Sequence, residues 1–393
     1  MRSLPHIVVR HRAAAERLAQ GHPWVWRETI ARGLDGVTAG EEVQVEAADG
    51  TAIGRGLADP GSPIAVRLWT HGTEAVDGAL LARRVDRAVT LRRRLFDGQA
   101  TTAYRVLHGE GDRTPGFVVD RYDTVAVLRT DGEAAAARAS DLAAALGPAL
   151  ESWGVSTLVH RLGDKGETPR FEVLRGPPPP DRVTVHEHGL PLLVDLRHGQ
   201  KTGAFLDQRD NRARAGELAR GRRVLNLFSY AGGFSLFAAA GGAKHVTSVD
   251  VAAAAHATAQ ASFRAAGLDP GAHAFATADV GAFLERARKK QERWDLVISD
   301  PPSYAPSEKA VPRALAAYRA LHAACAAVLA PGGVLCAASC SSHVGLDAFL
   351  TTLDDAALGR AELRVLKTRG AGPDHPTLPA FPEGRYLKFV VLG

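Results

Sequence analysis

Two apolar stretches that end in polar residues decide the fold of this chain. Residues 294–302 read WDLVISDPP, an apolar strand followed by an acid and two prolines, and residues 337–341 read AASCS. Parallel sheets bind their ligands at the carboxyl ends of the strands. We therefore expect Asp300 and Cys340 to be neighbours over one pocket.

Further strands alternate with alanine-rich helical runs from Arg222 onward, which is the pattern of a doubly wound α/β sheet. The predicted strands are Val224–Phe228, His245–Asp250, Ala274–Thr277, Trp294–Ser299 and Val334–Ser339. Val365 and Tyr386–Leu392 would supply a closing antiparallel pair. The fold class predicted for the C-terminal part is thus α/β, with a Rossmann-like sheet.

The N-terminal half has a different pattern. Short strands separated by turns, with Asp49-Gly50 as a hairpin signal, predict a small β-barrel over residues 1–73. A helix near residues 78–97, a hairpin at residues 116–128 and a helix from Ala134 to Leu150 predict an α+β domain over residues 74–180. Four prolines at residues 177–180 mark the start of a third domain, residues 181–393.

Composition narrows the class of protein. The 393 residues carry a net charge of +5, and 40 Arg against 8 Lys supply its basic side. An arginine excess suits a polyanionic partner, although codon bias in a GC-rich genome explains it equally well. Three cysteines make a disulfide framework implausible, and no apolar run reaches the length of a membrane span. We expect a cytoplasmic protein with no membrane association, and a homodimer is left open.

A glycine-containing turn follows the first strand of the predicted sheet. Residues 226–234 read NLFSYAGGF, and glycines there let the backbone approach a ligand beside a helix N-terminus. Asp250 ends the second strand, where an acid can accept ribose hydroxyls, and Asp279 follows the third, within reach of an adenine amino group. Strand-end aspartates also cap helices, but the three acids with the turn favour S-adenosylmethionine. The predicted cofactor contacts here are Phe228, Ser229, Tyr230, Gly232, Gly233, Asp250, Asp279 and Asp300.

Several motifs along the whole chain resemble those of the bacterial large-subunit (23S) ribosomal RNA cytosine-C5 methyltransferase I family. The matching stretches are HPWVW at residues 22–26, GEGD at 109–112, PGFVVDRY at 115–122, HGQKTG at 198–203, FLDQRDNR at 205–212, FSY at 228–230, DPP at 300–302, SCS at 339–341, DHP at 374–376 and PEG at 382–384. This resemblance implies a PUA domain, a central α+β domain, a class I methyltransferase domain, and large-subunit ribosomal RNA as partner. The family commonly has Lys or Ala and then Phe after DPP, whereas Ser303 and Tyr304 stand here.

The resemblance places Cys340 as the nucleophile. Cytosine C5 is a poor nucleophile, so a thiolate must first add at C6 to activate it. Asp300 could hydrogen-bond the cytosine amino group or ring nitrogen. Pro301 and Pro302 would stiffen the loop against the base, and Tyr304 could stack on it. Cys325 and Cys336 are interpreted as packing residues.

A polar run precedes the methyltransferase core. Lys201, Arg209 and Arg212 could lie on a solvated helix face, but the resemblance favours contacts with RNA or cofactor, and Phe205 and Gln208 could line the cofactor cleft. Arginines of the predicted helix near residues 78–97 are further candidates for RNA contact; they are Arg83, Arg84, Arg87 and Arg92–Arg94. The histidines form no metal spacing, so no metal is predicted.

Two other functions stay open. DPP followed by tyrosine resembles enzymes that methylate a base nitrogen, which would not need Cys340. An RNA-binding assembly factor with weak cofactor affinity is the alternative from another class, and Gly232, Asp250 and Asp300 argue against it.

Overall fold

The computed structural model describes residues 4–163, 169–359 and 363–393. The chain forms two compact units. The N-terminal unit comprises Met1–Asp181, Leu196–Ala204 and Pro373–Gly384, and the C-terminal unit comprises Arg182–Asp195, Phe205–Gly372 and Arg385–Gly393. This division does not separate residues 1–73 from residues 74–180, so the three domain boundaries stay a prediction.

A six-stranded sheet, in the order β2-β6-β5-β4-β1-β3, begins the N-terminal unit. Its elements are β1 (His6–Val9), α1 (Arg12–Ala19), β2 (Trp24–Trp26), β3 (Ile30–Arg32), β4 (Glu42–Glu46), β5 (Ala52–Ala58) and β6 (Ile64–Leu68). β4 and β5 pair antiparallel, which confirms the hairpin expected from Asp49-Gly50. Val43 and Val45 face the same side of the strand and are fully buried in the core of this sheet, and Gln44 between them is buried as well.

A second sheet of the N-terminal unit has the order β11-β10-β9-β8-β7. Its elements are α2 (Gly78–Leu95), β7 (Ala103–His108), β8 (Phe117–Tyr122), β9 (Val125–Thr130), α3 (Glu133–Ala136), α4 (Ala139–Ser152), β10 (Thr157–Leu162) and β11 (Arg170–Arg175). The single helix expected from Ala134 to Leu150 is wrong. The Arg138 N–H bonds the Ala135 carbonyl three residues back, which interrupts the α-helical ladder between α3 and α4.

Two of the arginines of α2 are buried, so they cannot contact RNA as expected. Arg92 is fully buried and donates to both carboxylate oxygens of Asp112, at 2.6 and 2.8 Å, and to the Asp374 carbonyl at 2.6 Å. Arg84 donates to the carbonyls of Trp69 and Arg113. Burial of a guanidinium requires such partners, and these two therefore hold the unit together. The remaining arginines of the helix, Arg83, Arg87, Arg93 and Arg94, are exposed.

The C-terminal unit is built on a seven-stranded sheet of order β16-β15-β14-β17-β18-β20-β19, next to a hairpin of β12 and β13. Its strands are β12 (Arg182–Glu187), β13 (Leu190–Asp195), β14 (Arg223–Leu227), β15 (His245–Asp250), β16 (Ala274–Thr277), β17 (Trp294–Ser299), β18 (Leu329–Ser339), β19 (Val365–Arg369) and β20 (Lys388–Leu392). Its helices are α5 (Arg209–Leu218), α6 (Gly233–Ala240), α7 (Ala253–Ala265), α8 (Val280–Lys289), α9 (Val311–Ala327), α10 (Leu346–Leu350) and α11 (Asp355–Leu358).

The strands β14 to β18 run parallel, and β19 and β20 pair antiparallel beside β18. Helices between parallel strands cover both faces, and the apolar residues of β14, β17 and β18 accordingly fall into two separate buried clusters. This confirms the doubly wound sheet and its closing antiparallel pair. The strand register also fixes the ligand edge, because Leu227 is aligned with Val249 on one side and Ser299 on the other.

Candidate active site

The turn after β14, residues 228–233, is called the cofactor turn below. Phe228 has φ 56° and Tyr230 has φ 47°, and Gly232 follows with φ 74°. Left-handed backbone at two non-glycine residues is strained, and such strain is typical of functional sites. The Ser229 N–H donates to the Val249 carbonyl at 3.0 Å, which ties the turn to the neighbouring strand.

Both glycines of this turn are in close contact with other residues. A Cβ at Gly232 would lie 2.5 Å from the Cβ of Ala259, and a Cβ at Gly233 would lie 2.7 Å from Cδ of Arg212. Neither position has space for a side chain. The glycines therefore allow α6 to begin directly after the turn, close to α7 and α5.

The predicted acids lie at this edge of the sheet. Asp250 follows Val249 in β15, and Asp300 follows Ser299 in β17. Val249 and Ser299 are both aligned with Leu227 of β14, which lies between these two strands. The backbones of the two acids are therefore two strand spacings, roughly 10 Å, apart. Asp250 accepts the Tyr230 N–H at 2.8 Å and the Ala252 N–H at 2.9 Å. Asp279 is exposed and caps α8 by accepting the Ala282 N–H at 2.9 Å. Both acids thus have a structural role, and their expected contacts with the cofactor stay predictions.

The residues around the cofactor turn fit an adenosyl cofactor. Ser229 is 6% exposed, and its Oγ has no hydrogen-bond partner among the described residues. A buried hydroxyl without a partner is costly unless a ligand supplies one. Together with the Asp250 carboxylate and the N-terminus of α6, it provides polar groups suited to a ribose and a charged amino-acid end.

The segment before α5 packs under the cofactor turn. The Phe205 ring lies 5.6 Å from the Tyr230 ring in an edge-on contact. Arg212 donates to both Glu187 oxygens, at 2.9 and 2.5 Å, and to the Phe205 carbonyl at 2.9 Å. Arg209 and Gln208 are also buried, so these residues do not form a solvated face. Their predicted contacts with RNA or cofactor stay predictions.

Lys201 belongs to the N-terminal unit and has φ 56°. The adjacent Thr202 is buried, with its Oγ1 donating to Asp120 at 2.5 Å and hydrogen-bonded to the Tyr122 hydroxyl at 2.8 Å. These bonds fix the backbone next to Lys201. A substrate contact of Lys201 stays a prediction.

Residues 339–341, called the cysteine tip below, are bonded to the loop that follows β17. Ser341 Oγ is 3.1 Å from Ser303 Oγ and accepts the Tyr304 N–H at 3.2 Å. The Tyr318 hydroxyl, from α9, is 2.9 Å from Ser339 Oγ and 3.0 Å from Ser341 Oγ. The serines on either side of Cys340 are fully buried and hold the tip against residues 300–304, called the proline loop below.

The three cysteines have different environments. Cys325 and Cys336 are fully buried, and burial raises the pKa of each thiol to about 12. Cys340 is partly exposed at the tip of β18. Because the thiolate is the reactive form, Cys340 is the cysteine whose position permits chemistry at this edge.

The proline loop presents Pro301 buried and Pro302 exposed. The Tyr304 ring lies 4.8 Å from the Tyr318 ring, and burial raises the pKa of Tyr304 to about 12. One side of the Tyr304 ring is thus engaged by a protein neighbour. Stacking on a base by Tyr304 stays a prediction.

Two polar residues at the site escaped the sequence analysis. Tyr318 lies on a helix that does not carry a motif, so only tertiary packing reveals it. Lys388 is buried in β20, and its Nζ donates to the carbonyls of Ser341 at 2.6 Å and Tyr386 at 2.8 Å. The sequence feature that could have identified Lys388 is its single charge in the apolar run LKFVVL, residues 387–392.

Comparison with known families agrees with this architecture. Residues 143–382 match the S-adenosylmethionine-dependent methyltransferase family, and residues 7–71 match a PUA-like domain. None of the helices in the described part of the chain combines the length and the apolar character that a membrane span requires.

Solved structures share the fold. A crystal structure of SMU.776 complexed with SAH has a TM-score of 0.86 and 22% identity, covering 99% of both chains. A structure from Streptococcus mutans has the same TM-score and identity, over 99% of this chain and 100% of that one.

Relatives with higher identity give the family. The ribosomal RNA large subunit methyltransferase I of Alteromonas mediterranea is 36% identical over 380 residues, 95% of each chain. Its counterpart from Shewanella denitrificans is 36% identical over 95% of this chain and 96% of its own. The chain therefore belongs to the ribosomal RNA large subunit methyltransferase I family, and its cofactor is S-adenosylmethionine.

Proposed function

We propose that this protein methylates C5 of cytosine in large-subunit ribosomal RNA through a covalent adduct of Cys340 at C6. The observation that carries the proposal is the partly exposed Cys340, which follows β18 between two buried serines, while Asp300 follows the neighbouring strand β17. The relatives are ribosomal RNA large subunit methyltransferases, which supports the RNA substrate.

The reaction needs a nucleophile before the methyl transfer. The Cys340 thiolate would add to C6, forming the C6–S bond and placing electron density on C5. S-adenosylmethionine supplies an electrophilic methyl group when bound. C5 would take that methyl group and leave S-adenosylhomocysteine as the product of the cofactor. Transfer of the C5 proton to a base or water, with cleavage of the C6–S bond, then restores the aromatic base and the thiolate.

Asp300 would bind the cytosine while the base carries the charge of the adduct. Its carboxylate can accept hydrogen bonds from the cytosine amino group and from a protonated ring nitrogen, which stabilises the adduct. The bonds from Ser341 to Ser303 and to the Tyr304 N–H hold the loop of Asp300 and the tip of Cys340 in fixed positions. Such preorganisation lowers the cost of bringing base and thiolate together.

The RNA would be positioned by other parts of the chain. The exposed arginines of α2, which are Arg83, Arg87, Arg93 and Arg94, are suited to phosphate contacts. A fragment that starts near Asp181 should bind cofactor but lose most RNA affinity. Full RNA affinity in that fragment, with its salt dependence intact, would contradict this role of the N-terminal half.

The direct test is methylation of 23S ribosomal RNA with S-adenosylmethionine, followed by digestion and mass spectrometry of the nucleosides. We expect 5-methylcytidine from the wild-type protein and none from Cys340→Ser. Cys325→Ser and Cys336→Ser are matched controls, because both thiols are fully buried and should be dispensable if the fold survives. A cytidine methylated on nitrogen, or RNA binding without any methylation, would overturn the proposal.

A further inference from the structure

One charged residue lies inside the apolar end of the sheet, in β20. Lys388 is 4% exposed and is the antiparallel partner of Ser339 in β18. Its Nζ reaches past Cys340 to donate to the Ser341 carbonyl at 2.6 Å. The lysine therefore spans the cysteine tip from the residue before the thiol to the residue after it.

The hydrogen bonds of this ammonium group are incomplete. An ammonium has three donors, and among the described residues the Lys388 Nζ makes two hydrogen bonds, both to neutral carbonyls. No carboxylate forms an ion pair with Lys388 in the part of the chain that the structure describes. A buried cation without an anion is destabilising, so such residues are rare unless a function requires them.

Cys340 is the ionisable group that interacts favourably with this charge. Desolvation by burial lowers the pKa of Lys388 to about 8, and electrostatic interaction with Cys340 acts in the opposite direction, raising it. The interaction is reciprocal, because a cation that is favoured by a thiolate also favours that thiolate. A nearby lysine is a known means of making a cysteine more nucleophilic.

Other ionisable residues are bonded to the cysteine tip or to Lys388, or lie on the neighbouring strand end. They are Tyr304 and Tyr318, which bond Ser341, Tyr386, whose carbonyl accepts from Lys388, and Asp300, which follows the residue aligned with Ala337. Burial raises the pKa of both Tyr304 and Tyr318, so these phenols remain neutral near neutral pH. The Tyr386 hydroxyl donates to Asp207 at 2.6 Å. A thiolate next to the Asp300 carboxylate would be repelled, which makes a neighbouring cation more important.

We propose that Lys388 is a positioning residue that holds Cys340 as a thiolate and fixes the backbone on which the thiol is presented. This inference rests on the proposed cysteine mechanism, and its experiment measures the thiol itself rather than turnover. Lys388 would act through charge and through its bonds to the Ser341 and Tyr386 carbonyls.

The experiment follows alkylation of Cys340 by iodoacetamide against pH, with peptide mass spectrometry to count each cysteine. Lys388→Gln retains donors for the carbonyls but removes the charge, and Lys388→Arg restores a charge. We expect the midpoint of the alkylation profile to rise by about 1 to 3 pH units in Lys388→Gln. Lys388→Arg should stay close to the wild type. Lys290→Gln is the matched control, because Lys290 is exposed at the C-terminal end of α8.

An unchanged midpoint in Lys388→Gln would overturn the inference, provided that SAH binding by calorimetry shows a folded site. If that variant does not bind SAH, the wild-type profile decides, because its midpoint must lie below the ordinary thiol value of about 8.5. A Cys340→Ser protein that still makes 5-methylcytidine would overturn the proposed mechanism instead. The two failures are thus distinguishable.

Discussion

The cofactor turn and the cysteine tip lie at the same edge of one sheet but are held in different ways. The cofactor turn is shaped by backbone: left-handed residues at 228, 230 and 232, and two glycines with no space for a Cβ. The cysteine tip has no left-handed residue and is held by side-chain hydroxyls from Ser303 and Tyr318 and by the ammonium of Lys388.

This difference has a functional consequence. A turn that is fixed by steric constraints suits the cofactor, because the same cofactor binds in every catalytic cycle. A tip held by hydrogen bonds and one charge can tune the reactivity of a thiol, because each partner changes the electrostatics at the sulfur. Variants in the turn should therefore affect cofactor binding and folding, and variants around the tip should affect chemistry.

The largest expected effect is on the chemical step. Asp300→Asn should lower kcat at saturating cofactor by about 10²- to 10³-fold, because the charge on the cytosine adduct loses its carboxylate partner. Asp295→Asn is the matched control, since Asp295 lies at the other end of β17 and accepts the Arg223 N–H at 2.8 Å. Steady-state methylation assays on both variants measure the difference, and an equal kcat in the two would remove Asp300 from the chemistry.

The second largest expected effect is on the affinity for the cofactor. Asp250→Ala should weaken binding by about 1.5–3 kcal/mol for each charge-assisted hydrogen bond lost to the ribose. Isothermal calorimetry with SAH measures this, with Asp269→Ala as control, because Asp269 likewise accepts a backbone N–H, that of Gly271 at 2.8 Å. Unchanged affinity in Asp250→Ala would sink the assignment of this residue.

Alanine variants of two glycines with similar backbone angles distinguish the cost of left-handed backbone from the cost of steric overlap. Gly232 has φ 74° and Gly267 has φ 72°, but no atom of the residues that the structure describes lies within 4 Å of a Cβ at Gly267. Both alanine variants should lose about 1–2 kcal/mol from the left-handed backbone. Gly232→Ala should lose roughly 1–3 kcal/mol more, from overpacking against Ala259. Urea denaturation measures both, and equal losses would show that crowding does not shape the turn.

The smallest expected effect concerns the hydroxyl network. Tyr318→Phe removes the bonds to Ser339 and Ser341, each of which should contribute about 1 kcal/mol to folding, and should also lower kcat with SAH affinity unchanged. Tyr104→Phe is the control in the N-terminal unit, where the hydroxyl accepts from Arg121 at 2.9 Å. A Tyr318→Phe variant with wild-type kcat would limit this network to stability.

The same difference explains what could be predicted from the sequence. Apolar runs with glycine and acid residues at their ends predicted every strand of the parallel sheet and the position of Gly232, Asp250 and Asp300, because these signals are local. The helix break at Arg138, the burial of Arg84 and Arg92, and the partners Tyr318 and Lys388 were not predicted. They depend on residues distant in sequence, such as Asp374 for Arg92 and Ser341 for Lys388.

Trapping with RNA that carries 5-fluorocytosine at the target tests the central claim most directly. If Cys340 adds to C6, the base should be methylated once and remain attached to the protein, because fluorine cannot leave C5 as a proton does. Mass spectrometry should then find the RNA on the peptide that contains Cys340, and no adduct in Cys340→Ser. Turnover of this RNA without an adduct, or an adduct on Cys325 or Cys336, would contradict the mechanism.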